Sequence, residues 1–134
     1  DLKTTEKYLG RYFNLTGKVI KGDGLGKKIM YPTANIFIEE KYKIIPKDGV
    51  YLIKTFIKNK LYNGMMNIGH RPTIGANEKS LEVHLFNFNK DIYGEQISID
   101  IISKIRDEKK FSSIEALKDQ LVKDENHCLK LINK

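Results

Sequence analysis

At 134 residues with a formal net charge of +7, the chain has the size of a single domain with one core. Hydrophobic residues make up 40% and charged residues 31%, the balance of a soluble globular protein; no apolar stretch approaches the roughly 20 residues of a membrane-spanning helix. The single cysteine, Cys128, excludes an internal disulfide and suits a reducing compartment.

No secretory signal is visible. The chain begins with Asp1 rather than Met, as a processed protein or a domain cut from a longer one would. The positive charge invites a nucleic-acid reading. Against it, the lysines are scattered and arginine occurs only at 11, 71 and 106, too few for base readout on a polymer. A basic surface serves equally well to draw in a small polyanion such as a nucleoside triphosphate.

In chain order, TTEKYLG reads as the tail of a short helix ending at Gly10. Strand-like runs follow: LTGKVIK (15–21), NIFI (35–38), VYLIKTFI (50–57), LYNGMMNI (61–68) after a KNK turn, LEVHLFNF (81–88), and ISIDII (97–102). Five or six short strands at this spacing predict a closed or split antiparallel barrel, and closure would remove exposed edges. The period then changes. SSIEALKDQLVKDENHCLKLI carries Ile114, Leu117, Leu121, Cys128, Leu131 and Ile132 at helical spacing, with Ser112 and Glu115 set as a capping box. The fold class is therefore mainly β (α+β), a barrel with one amphipathic helix packed against it.

Four stretches carry candidate chemistry. GDGLGKK (22–28) has three alternating glycines and two lysines; such a loop brings backbone N–H groups close to anionic oxygens, and it serves equally as a plain hairpin loop. It is neither a Walker A motif nor a Rossmann loop. In YPTAN (31–35), Thr33 and Asn35 are two apart in an extended segment and so share a side, aiming two neutral oxygens at one point, suited to a hard cation or to closing a strand-entry turn. In LEVHLFNF, Leu81, Val83 and Leu85 share one face and Glu82, His84 and Phe86 the other; Glu82 either faces solvent or, lining a cleft, serves as a general base. RDEKKF (106–111) places Arg106, Lys109 and Phe111 together, either a charged linker or a clamp for a planar polar ligand. His127 and Cys128, adjacent on a helix, cannot ligate one metal.

A Gly-Lys loop, YPTAN, DGVY (48–51), NIGHRPT (67–73), LEVHL, DIYG (91–94) and RDEKKF occur in one order. The series resembles the riboflavin kinase (flavokinase) family, from Gly17 almost to the end of the chain. KYLGRYF resembles the linker that follows an FMN adenylyltransferase domain in bacterial bifunctional FAD synthetases. This implies residues 1–14 as linker and short helix from an upstream domain, and 15–134 as the kinase domain. It further implies a six-stranded Greek-key barrel, a cytoplasmic enzyme, and transfer of the ATP γ-phosphate to the ribityl 5′-hydroxyl of riboflavin with Mg²⁺. ATP/ADP and riboflavin/FMN would be its partners, with no nucleic acid and no membrane. On the family's motifs, Gly22, Gly24, Gly26, Lys27, Thr33, Asn35 and Tyr93 match the ATP side. Thr33 and Asn35 match the Mg²⁺ ligands, Glu82 the catalytic carboxylate, and Arg106, Lys109 and Phe111 the flap over the flavin. Met30 stands where the family carries glycine, which stiffens the loop. The alternative reading is a regulatory barrel that binds flavin or nucleotide without catalysis.

Overall fold

The structure, a computed structural model, describes residues 13–20, 34–38, 45–70 and 79–133. The helix expected to end at Gly10, the loop with Gly22, Gly24, Gly26 and Lys27, and Met30 and Thr33 lie outside these residues. Six strands and one helix follow in order: β1 (Phe13–Ile20), β2 (Ala34–Phe37), β3 (Gly49–Ile57), β4 (Lys60–His70), β5 (Lys79–Leu85), β6 (Gln96–Asp107) and α1 (Ile114–Ile132). The strands pair antiparallel in the closed order β1-β2-β5-β4-β3-β6. Strands β3, β4 and β5 form a meander and β2 returns beside β5, which is a Greek key.

Alternation along each strand decides what fills the barrel. Leu15 and Val19 of β1, Tyr51 and Ile53 of β3, Met66 and Ile68 of β4, Leu81 and Val83 of β5, and Ile99 and Ile101 of β6 all point inward and pack together. The outward positions Val50, Leu52 and Met65, with Phe86 just past β5, form a second cluster closed by Cys128 of α1. Strand β3 is thus buried on both faces in its first half, from Gly49 to Ile53, which is why VYLI reads as a continuous apolar run rather than an alternating one. Its inward polar atoms are satisfied: Thr55 Oγ1 donates to the Ser98 carbonyl at 2.6 Å, and the Tyr51 hydroxyl donates to the Lys47 carbonyl at 2.5 Å. The β3–β4 turn is a two-residue hairpin with Lys58 and Asn59 at φ of 52° and 66°.

Three expectations need correction. Strand β6 does not stop at residue 102 but runs to Asp107, because two register shifts against β3 let it bend round the barrel. Arg106 is therefore a strand residue. The helix is capped by Ser113, whose side chain accepts from the Ala116 N–H, not by Ser112. Ile114 is exposed, so the buried stripe of α1 begins at the half-buried Leu117.

Gly49 opens β3 where that strand meets β6. A Cβ there would lie 2.7 Å from the Arg106 carbonyl oxygen, so only glycine lets the two backbones approach at this level.

Cys128 is fully buried, and burial, helped by Asp124 and Glu125, pushes its thiol from the ordinary value near 9.0 up to about 12. Between those values the unfolded chain gives up the proton and the folded chain keeps it, so stability falls as pH rises above 9 and is untouched below. Tyr51, raised mainly by burial, adds a loss of the same sign above its ordinary 10.0. Urea midpoints of Cys128→Ala are expected to fall less steeply between pH 9 and 10 than those of the parent chain; an identical slope would show that the thiol titrates alike in both states.

Candidate active site

Strand register builds a polar row on the barrel's outer face. Asn35 of β2 lies directly opposite Glu82 of β5, and Glu82 lies opposite Asn67 of β4. Their neighbours Ile36, Val83, Met66 and Ile68 point into the barrel, so these three point out on the same side. Directly opposed residues have Cβ atoms about 4.5–5.5 Å apart, which sets two amides on either side of one carboxylate. Asn35 is only 7% exposed although it faces outward, and Glu82 is half-buried. The row continues through Val50, opposite Asn67, to Arg106, opposite Val50. Three interstrand steps round the six-stranded ring separate Glu82 from Arg106, and between them Val50 is covered by α1.

The next outward position on β4 is Gly69, opposite Ser80. An added Cβ at Gly69 would come 2.9 Å from a Glu108 carboxylate oxygen and 3.5 Å from the Ser80 hydroxyl. The Glu108 side chain, one residue past β6, therefore returns over β4. At the root of this return the Lys104 ammonium hydrogen-bonds Asp107, which raises the lysine and holds that carboxyl below its usual range. Asp48 and Lys79 pair at 3.3 Å at the same end of the barrel, with Lys79 Nζ also donating to the Pro46 carbonyl at 2.9 Å.

Tyr93, 59% exposed, sits in a turn whose Asp91 Oδ1 accepts from the Tyr93 N–H at 2.9 Å. Gly94, at a φ of +87° that suits glycine, donates from its N–H to the Val19 carbonyl, and Val19 N–H donates to Glu95, each at 2.9 Å. These bonds fasten Tyr93 beside the end of β1, where the chain enters the glycine loop.

Arg106 meets the helix. Its Nε donates to Asp124 Oδ1 at 2.9 Å and Oδ2 at 3.0 Å, and its Nη2 donates to Oδ2 at 2.8 Å. Nη1 donates to the Asp107 carbonyl at 3.1 Å, and the guanidinium carbon lies 5.7 Å from the centre of the Phe111 ring. Phe111 is half-buried and Lys109 is exposed.

Of the residues singled out in the sequence, the fold brings Asn35 and Glu82 side by side and joins Arg106 to Phe111. Tyr93 stands apart from both pairs, next to the turn bonded to Val19 near the end of β1. Sequence reasoning missed Asn67, Glu108, Gln120 and Asp124. The NIGHRPT motif pointed to Asn67, and RDEKKF contained Glu108; Gln120 and Asp124 looked like the solvated face of an amphipathic helix.

The donor set suits a hard cation: a buried neutral amide oxygen at Asn35 beside a carboxylate at Glu82. Among the described residues no three His, Cys, Asp or Glu side chains gather as a metal cluster. No helix among them is long and apolar enough to cross a membrane.

Residues 9–132 match the family model described as riboflavin kinase. The chain is 42% identical over 125 residues to the bifunctional riboflavin kinase/FMN adenylyltransferase of Haemophilus influenzae, covering 92% of this chain and 40% of that protein. With the counterpart from Bacillus subtilis it shares 38% over 133 residues, covering 97% and 42%. An RNA-binding riboflavin kinase of Bacillus subtilis is 44% identical over 111 residues, 82% of this chain and 47% of that protein. The chain thus spans less than half the length of these relatives. A crystal structure described as a macrolide-efflux protein from Streptococcus pneumoniae superposes with a TM-score of 0.85 at 36% identity, over 93% of this chain and 41% of that one. Riboflavin kinase from Trypanosoma brucei shares the fold, with a TM-score of 0.64 at 24% identity over 92% and 82%. From before β1 to the last turn of α1, through the polar row and the Arg106 junction, the chain belongs to the riboflavin kinase family.

Proposed function

We propose that this chain transfers the γ-phosphoryl group of ATP to the 5′-hydroxyl of riboflavin, giving FMN and ADP. The observation that carries the reading is the pairing of Asn35 with Glu82 across β2 and β5 on the outer face, with β2 flanked on its other side by β1, the strand that precedes the glycine loop. Phosphoryl transfer asks the protein for positioning, charge neutralisation and a base, and this row can supply the base next to a phosphate-side amide. The ribityl 5′-oxygen attacks the γ-phosphorus, the bond to the β,γ-bridging oxygen breaks, ADP leaves, and the alcohol proton passes to the Glu82 carboxylate. Riboflavin presents its chain end to Glu82 and its rings to Arg106, Lys109 and Phe111. Gly22, Gly24, Gly26, Lys27 and Tyr93 bind the nucleotide.

Thr33 and Asn35 would hold Mg²⁺, which would supply positive charge to offset that of the ATP phosphates. Thr33→Ala is expected to weaken Mg·ATP affinity by roughly tenfold, an effect partly recovered as Mg²⁺ is raised. Affinity unchanged across a Mg²⁺ titration would remove Thr33 from the metal site.

The positive charge of +7 serves ATP rather than a polymer, and the chain works in the cytoplasm, where Cys128 stays reduced. Because one relative is named as RNA-binding, short RNA at low salt is the comparison to make, with no change in fluorescence anisotropy expected. Adenylyl transfer, where the parent protein carries it out, lies in an upstream domain, with residues 1–14 as the link and 15–134 as the kinase. A coupled assay for ADP tests the reading: release must require riboflavin, and ADP released equally without riboflavin would contradict it.

A further inference from the structure

We infer that Asp124, with Gln120 beside it on α1, is a positioning residue for the flavin, acting through Arg106. The inference rests on the riboflavin kinase reading and concerns residues of the helix to which that reading gives no part. Asp124 is 2% exposed, and its carboxylate is filled: two contacts from Arg106 Nε, one from Nη2, and one from Gln120 Nε2 at 3.0 Å.

Stability alone is a poor reason for this arrangement. A buried ion pair seldom gains more than an apolar pair of the same volume would, because desolvating both charges offsets their attraction. The helix is also already seated by Cys128 against Val50, Leu52, Met65 and Phe86. What the pair does provide is a fixed guanidinium. Held from one side by Asp124, Arg106 spends Nη1 on the Asp107 carbonyl, at the point where the chain leaves β6, and turns towards the Phe111 ring at 5.7 Å. One side chain thereby ties together the helix, the strand end and the aromatic ring. With α1 holding Arg106 beside the Phe111 ring, the helix fixes the surface on which the flavin rings would rest.

The test is riboflavin affinity, read from quenching of its own fluorescence, beside Mg·ATP affinity and the kcat and KM of FMN formation. Asp124→Asn keeps the shape and removes the charge. It is expected to raise the riboflavin Kd on the order of tenfold to a hundredfold while Mg·ATP affinity stays within twofold, and Asp124→Glu is expected to recover part of the loss. Gln120→Ala, which removes a single bond to the carboxylate, should shift riboflavin in the same direction by less, and it decides the matter if Asp124→Asn fails to fold. Riboflavin affinity unchanged in folded variants, or both ligands weakened equally, overturns the inference. A parent chain that binds riboflavin without forming FMN defeats the phosphotransfer reading while leaving Asp124 to be judged on affinity. A parent chain that binds no riboflavin overturns both.

Discussion

Replacing Glu82 with glutamine is expected to lower kcat for FMN formation by a factor on the order of 10²–10⁴, the usual worth of a general base. The amide has nearly the shape of the carboxylate, so the side chain keeps its place between Asn35 and Asn67 on the outer face. What it loses is the ability to accept the proton of the ribityl hydroxyl. Riboflavin and Mg·ATP affinities should therefore change little, and the loss should sit in kcat rather than KM. Single-turnover measurements separate this from slow product release. A variant that turns over like the parent chain would show that the proton leaves by another route, to a phosphate oxygen or to water, and would reduce Glu82 to a residue that shapes the cleft.

The largest effect on stability is expected at Ile99. It is fully buried, lies opposite Leu15 of β1 and Thr55 of β3, and so sits where β6 closes the barrel. Ile99→Ala leaves a cavity between backbones that are hydrogen-bonded on both sides and cannot collapse into it, which costs about 2–5 kcal/mol. That is a large part of the roughly 5–15 kcal/mol that holds a domain of this size together. Phe56, 64% exposed on the neighbouring strand, is the control, and its alanine variant should stay within about 0.5 kcal/mol. Urea denaturation checks both; a loss under about 1 kcal/mol at Ile99 would mean that the interior of β6 is not tightly packed.

Much of this fold was legible because its strands obey simple alternation. Leu81, Val83 and Leu85 against Glu82 and His84 is a pattern that only a sheet with one apolar side produces, and the structure puts the first three inside the barrel. The change of period after residue 112 marked the helix equally well. The bends were not legible. The two register shifts in β6 have no sequence signal of their own, and they carry the strand five residues past its expected end and make Arg106 part of it. The cap at Ser113 was missed because two serines stand together and both can act as acceptors.

The site was legible as residue types but not as an arrangement. Asn35 and Glu82 are 47 positions apart, and nothing short of the register between β2 and β5 sets them opposite each other. Asn67 joins them by the same cause. Asp124 was hidden for a different reason: within KDQLVKDENH a buried aspartate looks like any other charge on a helix, and only its partner on a distant strand distinguishes it. Arg106 shows the converse. The sequence suggested a clamp on a ligand, and the structure reveals a guanidinium already committed to Asp124 with Phe111 alongside.

The central claim is that this barrel phosphorylates riboflavin, and one assay tests it most directly. Riboflavin and ATP are incubated with the chain, with and without Mg²⁺, and riboflavin, FMN and FAD are resolved by chromatography. FMN that depends on Mg²⁺, with no FAD, is the predicted result. Riboflavin recovered unchanged under every condition, including with the flavin bound to the protein, would contradict it and leave a flavin-binding barrel without catalysis.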